Sequence, residues 1–254
     1  MAAITSFVGQ LLDQTFLAAV DPLCNPAMIA LPAMKGLEVL SVEAFARRNH
    51  TFPASTSFGY SEPINNMNFC NVTVTYTHPG WGDSIHVMSY LPFEDEWNGK
   101  FMANGGGGLM AGGELLSHFT MIPSLMEGFA ASITDAGYLP TIAEAFDTSK
   151  TWTFSNPGNV NWPLFMNFAH VAIHDMATIG KAVTEAFYHK APEFSYFLEG
   201  STGGRQAHML AQRYPEDFDG IISVCPAINW PRFLFSNLYA AVIMEKLNQG
   251  HDFT

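Results

Sequence analysis

The chain has 254 residues, 48% of them hydrophobic, enough to bury the core of one large domain. A net charge of −12 with no basic run longer than Arg47-Arg48 repels phosphate backbones and anionic head groups, and no stretch of about 18 apolar residues is present, so neither nucleic acid nor a membrane is an expected partner. Charged residues make up 13%, about half the usual share, so either the surface is rich in uncharged polar and aromatic groups or part of it is covered by another chain or segment.

Residues 1–23 read as a weak signal-like segment. Met1 to Val20 is apolar in tendency, but it lacks a positive start and Asp13 and Gln14 interrupt it. Asn49-His50-Thr51 and Asn71-Val72-Thr73 match the glycosylation acceptor pattern, which has meaning on a secretory route and points to an extracellular location. Three cysteines allow one bridge. Cys24 and Cys70 are the expected pair because both precede the first core strands, and Cys225 is expected as a buried thiol at an apolar strand end.

Residues 69–77 and 85–91 alternate at period two around Pro79, Gly80 and Gly82, which predicts two antiparallel strands. Lys100 to Ala103 is a short strand entering the run Asn104 to Gly108. After it strands alternate with helices: a helix over 115–129, a buried strand over 130–135, a loop over 136–162, a long helix over 163–189, a strand over 194–198, a helix over 206–214, a strand over 220–224 and a last helix over 232–248. The fold class predicted is α/β, with a mixed, mostly parallel sheet flanked by helices.

Glu199-Gly200-Ser201-Thr202-Gly203-Gly204-Arg205 lies between the predicted strand 194–198 and the following helix, the layout of a nucleophile elbow. A serine hydroxyl meets a substrate carbonyl only if it projects from a sharp turn, and small neighbours let the backbone turn so tightly. An ordinary N-cap is the alternative for Ser201, and the two glycines with the preceding strand favour the nucleophile. Gly105 to Gly108 lack a Gly-Lys-Ser/Thr ending, so a phosphate loop is disfavoured. Gly106 or Gly107 is instead expected to offer a backbone N–H to an oxyanion, with the Thr202 amide as the second donor.

A serine needs a histidine to take its proton and a carboxylate to orient that histidine. His208 is about 10 Å further along the same helix and cannot turn back to the elbow. His251 beside Asp252 lies in a segment expected to fray, and the histidines at 78, 86, 118, 170, 174 and 189 would break the usual chain order. His170 and His174 have a zinc-compatible spacing, but the glutamate of a metalloprotease motif is missing, so they are expected to be structural and no metal site is assigned. Glu94-Asp95-Glu96 and Glu216-Asp217-Phe218-Asp219 read as solvated turns, the second capping the strand at 220.

The chain resembles the tannase/feruloyl esterase family through Ser201-Thr202-Gly203-Gly204-Arg205-Gln206, Tyr214-Pro215-Glu216-Asp217-Phe218-Asp219-Gly220-Ile221-Ile222 and Pro226-Ala227-Ile228-Asn229-Trp230, and through Ile173-His174-Asp175-Met176, Gly180-Lys181-Ala182 and Asn104 to Gly108. The resemblance implies an α/β-hydrolase fold over 24–254, Ser201 as nucleophile, hydrolysis of small phenolic acid esters and a Cys24–Cys70 bridge. It also implies a lid domain, often holding calcium, and then the catalytic Asp and His, and neither can be placed on this sequence. The chain therefore reads as a partial hydrolase domain whose carboxy-terminal part and lid are missing. A second chain would supply Asp and His, or the protein is a non-catalytic relic that binds phenolic ligands or a partner chain. No cofactor is expected in this chain. Where the resemblance implies Gly-Cys ahead of the serine, Glu199-Gly200 stands, and a glutamate there is expected to strain the turn.

Overall fold

The computed structural model describes residues 21–54, 56, 60–93, 95–113, 116, 119–138 and 152–248. The expected signal-like segment before residue 21, His118, and His251 with Asp252 lie outside them.

Seven strands form one mixed sheet in the order β1-β2-β3-β5-β4-β8-β9. They are β1 (Glu38–Phe52), β2 (Ile64–Thr77), β3 (Ile85–Pro92), β4 (Lys100–Ala103), β5 (Ala130–Thr134), β8 (Phe194–Gly200) and β9 (Gly220–Val224). The pairings β1·β2, β2·β3 and β3·β5 are antiparallel, and β5·β4, β4·β8 and β8·β9 are parallel. The predicted hairpin pairs Tyr76 with Ile85 and Phe69 with Pro92, and the sheet turns parallel at the glycine run, as expected. With helices on both faces, this is the α/β-hydrolase-like architecture.

One core layer packs Val72, Val74, Tyr76, Val87, Phe101 and Ala103 of the sheet beneath Ile173, Met176, Ile179 and Val183. The opposite layer packs Met88, Tyr90, Ala131 and Ile133 beneath Met121, Ile122 and Leu125. Close approach on the first face is permitted by Gly180, where a Cβ would lie 2.6 Å from Ser132 Oγ and 2.7 Å from the Phe101 ring. Cys24 and Cys70 are disulfide-bonded, tying the segment before β1 to β2.

Several elements differ from expectation. β1 went unread because most of its side chains are exposed and it is interrupted by bulges near Val39 and Arg47, so it lacks a clean alternation. The helix predicted over 115–129 is described as α1 (Ile122–Met126), with helical residues at 116, 119 and 120, and Gly128 at φ +78° follows its end. The expected loop 136–162 contains a small hairpin, β6 (Phe154–Asn156) with β7 (Asn159–Val160), turning at Gly158. Its residues 139–151 are outside the described set.

The long helix is two helices, α2 (Trp162–Ala169) and α3 (Val171–Tyr188), broken at His170 with φ −166°. The break has an identifiable partner. The carbonyls of Phe168 and Ala169 accept from the Arg205 guanidinium at 3.0 and 2.7 Å, so the end of α2 is capped from the elbow helix α4 (Thr202–Arg213). The final helix, α5 (Trp230–Asn248), forms as predicted, but none of its residues is buried: Phe235 and Leu247 are 76% exposed and Tyr239 65%. Ile222 and Val224 of β9 are also exposed, and so is Cys225, in contrast to the buried thiol expected.

Candidate active site

Ser201 joins the end of β8 to the start of α4 with φ +54° and ψ −119°, a conformation that costs a non-glycine residue about 1–3 kcal/mol and persists only where the surroundings enforce it. The enforcing bonds are visible. Its amide donates to Val224 O at 3.0 Å, and its carbonyl accepts from Arg205 N at 3.1 Å and Ala227 N at 2.9 Å. The strand β9 and the Pro226-Ala227 turn therefore grip the residue from the side.

The glycines explain how this fits. A Cβ on Gly204 would lie 2.7 Å from Val224 O and 2.8 Å from Pro226 Cα, and one on Gly203 would lie 1.9 Å from Glu199 Cγ. Neither position has room for a side chain. Ser201 itself is exposed, and among the described residues no histidine or carboxylate hydrogen-bonds its hydroxyl. The strain falls on Ser201 rather than on Glu199, which lies in regular ladder register opposite Ser223.

The glycine run is clamped directly to α4. Gly106 O accepts from Gly203 N at 2.8 Å, Gly106 N donates to Gln206 Oε1 at 2.9 Å, Gln206 Nε2 donates to Ala111 O at 2.8 Å, and the Thr202 hydroxyl donates to Gly108 O. The Gly106 amide is thus engaged by Gln206. The amides of Thr202 and Gly107 make no hydrogen bond among the described residues. Thr202 opens α4, where free amides and the positive end of the helix dipole favour negative charge.

Sequence reasoning gave no role to Gln206 or Arg205 and read Asp217 as part of a solvated turn. Arg205 is largely buried, which pulls its pKa down to about 10, and its guanidinium lies 4.7 Å from the Phe168 ring centroid. Asp217, expected in a solvated turn, is buried and accepts from His174 Nδ1 at 2.8 Å, while its own carbonyl takes Lys181 Nζ at 2.7 Å. Asp219 closes the β8–β9 junction by accepting from Ser195 N at 2.7 Å. The Tyr-Pro-Glu-Asp-Phe-Asp block is therefore a brace between α3, β8 and β9. The only signal for this in the sequence was its cluster of distinctive residue types.

His170 and His174 have separate partners, Tyr214 OH at 2.7 Å and Asp217, and the His174 ring stacks on Tyr214 at 4.2 Å. The Asp217 bond raises the pKa of His174, while burial lowers that of His170. A further buried network joins His78 to Asp83 at 2.7 Å and to Asp175 at 3.0 Å, with Tyr76 OH on Asp175 at 3.0 Å. Among the described residues no group of three or more His, Cys, Asp or Glu side chains is arranged to hold a metal ion. Of the acceptor asparagines, Asn49 is exposed at a β1 bulge, whereas Asn71 is half-buried between β1 and β3 with its Oδ1 shielded. A cavity of about 440 Å³ lies on the face of β1–β3 that carries Met88 and Tyr90, lined by Glu43, Arg47, His86 and Asp135 among others, and Ser201 is not part of it.

The sequence pattern of the family described as "Tannase and feruloyl esterase" matches residues 70–252. A probable feruloyl esterase of Arthroderma benhamiae is 43% identical over 219 residues, covering 86% of this chain and 39% of that protein. A tannase of Aspergillus oryzae is 30% identical over 185 residues, covering 71% of this chain and 29% of that protein. Among solved structures, a tannin acyl hydrolase from Aspergillus niger is similar with a TM-score of 0.75 at 26% identity, over 89% of this chain and 41% of that one. Feruloyl esterase B from Aspergillus oryzae is similar with a TM-score of 0.57 at 26% identity, over 78% and 36%. The chain spans about two fifths or less of the length of these relatives.

Proposed function

Because the chain belongs to the tannase and feruloyl esterase family, we propose that it carries the nucleophile half of a carboxylic ester hydrolase acting on small phenolic acid esters. The observation that carries this reading is the exposed Ser201 held at φ +54° between the glycine run and α4. Ser201 Oγ bonds to the ester carbonyl carbon, and the carbonyl electron pair moves onto oxygen. The amides of Thr202 and Gly107 stabilise that oxyanion; Gly107 is preferred to Gly106, whose amide is held by Gln206. Collapse expels the alcohol, and water then releases the acid from the acyl-serine. The route needs a proton acceptor but no cofactor.

That acceptor and its carboxylate partner are proposed to come from outside the described residues, in the part of the relatives' length that this chain does not span, whether as a continuation or as a second chain. The same part is proposed to cover exposed Ile222 and Val224 and helix α5. The Cys24–Cys70 bridge and exposed Asn49 support a secretory route, with Asn49 the better glycosylation acceptor. That no histidine among the described residues bonds Ser201 favours a second reading, a non-catalytic protein binding phenolic ligands.

Labelling by a fluorophosphonate separates the two. Under the hydrolase reading Ser201 is modified, with burst release of nitrophenol from a short acyl ester, and both are lost in Ser201→Ala. An unmodified Ser201 in a folded chain, also when mixed with the part of a relative that this chain does not span, would refute it.

A further inference from the structure

The cavity of about 440 Å³ is floored by β1–β3 in regular register. Glu43 pairs with Thr73 and Thr73 with Met88 in one row, and Phe45 pairs with Asn71 and Asn71 with Tyr90 in the next. Arg47, opposite Phe69, closes the row beyond. Glu43 and Arg47 stand on the same side of β1 four residues apart, about 13 Å between Cα atoms, too far for their charges to meet directly. Neither takes part in an ion pair among the described residues. Between them Phe45, 54% exposed, offers an open apolar surface.

His86 and Asp135 complete the wall at the Glu43 end. Asp135 is buried; its Oδ2 holds His86 Nδ1 at 2.6 Å and its Oδ1 accepts from the His86 amide at 2.9 Å. The ring is thereby fixed, and Nε2 is its unpartnered atom among the described residues. One guanidinium set against two carboxylates and an imidazole leaves no excess positive charge, which disfavours phosphates and dicarboxylates. A single anionic group on Arg47, an aromatic ring against Phe45 and a hydroxyl donating to Glu43 or His86 Nε2 would engage every one of these features. We propose that this cavity binds an aromatic carboxylate bearing a hydroxyl at its far end, the chemistry of a hydroxycinnamic acid. The long Arg47 side chain shortens the gap to the length of such a molecule. The proposal goes beyond the hydrolase reading and does not need it: Ser201 follows β8, which lies three ladder spacings, about 14 Å, from β3. An acid of this class is nonetheless what that reaction would release.

The test is a nuclear magnetic resonance titration of the full chain with 4-hydroxycinnamate. The amides of Phe45, Asn71 and Met88 should shift saturably, and the dissociation constant should be unchanged in Ser201→Ala. Loss of the anion, either in the methyl ester of the same acid or in Arg47→Gln, should weaken binding about tenfold. Cinnamate, which lacks the hydroxyl, should bind more weakly than 4-hydroxycinnamate, and Glu43→Gln should narrow that difference. Both substitutions fall on exposed side chains, so the variants are expected to fold. No saturable shift up to the solubility limit of the acid would overturn the proposal, as would equal affinity in Arg47→Gln or shifts centred on Ser201. Xylobiose binding at the same amides at least as tightly would overturn it in favour of a saccharide site. None of these signals reads ester turnover, so failure of Ser201 labelling leaves them informative.

Discussion

The cost of burying the Glu199 carboxyl can be measured as a slope of stability against pH. A folded-state pKa of about 7, against 4.5 for the free side chain, means that the native chain holds a proton which the unfolded chain releases. Stability is then full below the free value and falls as pH rises toward the folded one. A displacement of this size corresponds to about 3 kcal/mol, of which about 2.5 kcal/mol is expressed between pH 5 and pH 8. His78, His86 and His174 lean the same way. In His78 the bonds from Asp175 and Asp83 overcome the downward effect of burial, and in the other two the bond from Asp135 or Asp217 dominates. Their raised values give stability that is present below the free histidine pKa and lost as pH rises through the folded one. The comparison is therefore a double difference: urea unfolding of the unaltered chain and of Glu199→Gln, each at pH 5 and pH 8. The histidine contribution cancels, and the unaltered chain should lose about 2.5 kcal/mol more than the variant. Equal losses in the two proteins would refute the buried-carboxyl argument.

Other perturbations test the frame around the elbow. Gly180→Val places methyl groups into Ser132 and Phe101 and should cost about 1–3 kcal/mol in urea unfolding, with little change expected if α3 stands off the sheet. Tyr76→Phe removes the hydroxyl bonded to Asp175 and should cost about 1–3 kcal/mol, measured in the same way. Reduction, or a Cys24→Ser/Cys70→Ser pair, opens a loop closed across a sequence separation of 46 and should lower stability by about 4 kcal/mol in the loop-entropy account. In Gly200→Cys the new Cβ would lie 3.8 Å from Cys225 Sγ, so under oxidising conditions mass spectrometry should find these two cysteines joined.

The elbow was legible because its determinants are local: a strand, a residue forced to positive φ, and glycines within three positions of it. The hairpin of β2 and β3 and the helices α4 and α5 were legible for the same reason, their periodicity being carried by contiguous residues. What escaped depends on distant partners. The break at His170 is capped by Arg205, and the buried state of Asp217 comes from His174; no spacing along the chain encodes either pair. Glu199 could be noticed as a departure from the family pattern, but the expected backbone strain appears at Ser201, because the glutamate lies in ordinary strand geometry and Gly203 makes room for it. β1 escaped for another reason: an edge strand with charged residues along it has no buried face regular enough to read.

The apolar side chains of α5 have one more implication. Phe233, Leu234, Phe235, Leu238, Tyr239, Val242, Met244 and Leu247 do not form a stripe; at 100° per residue they point to every side of the helix axis. A flat neighbour would dry only some of them. Whatever shelters this helix has to wrap it like a sheath, and a chain prepared without that wrapping should bind a hydrophobic dye or cluster with its own copies as its concentration rises.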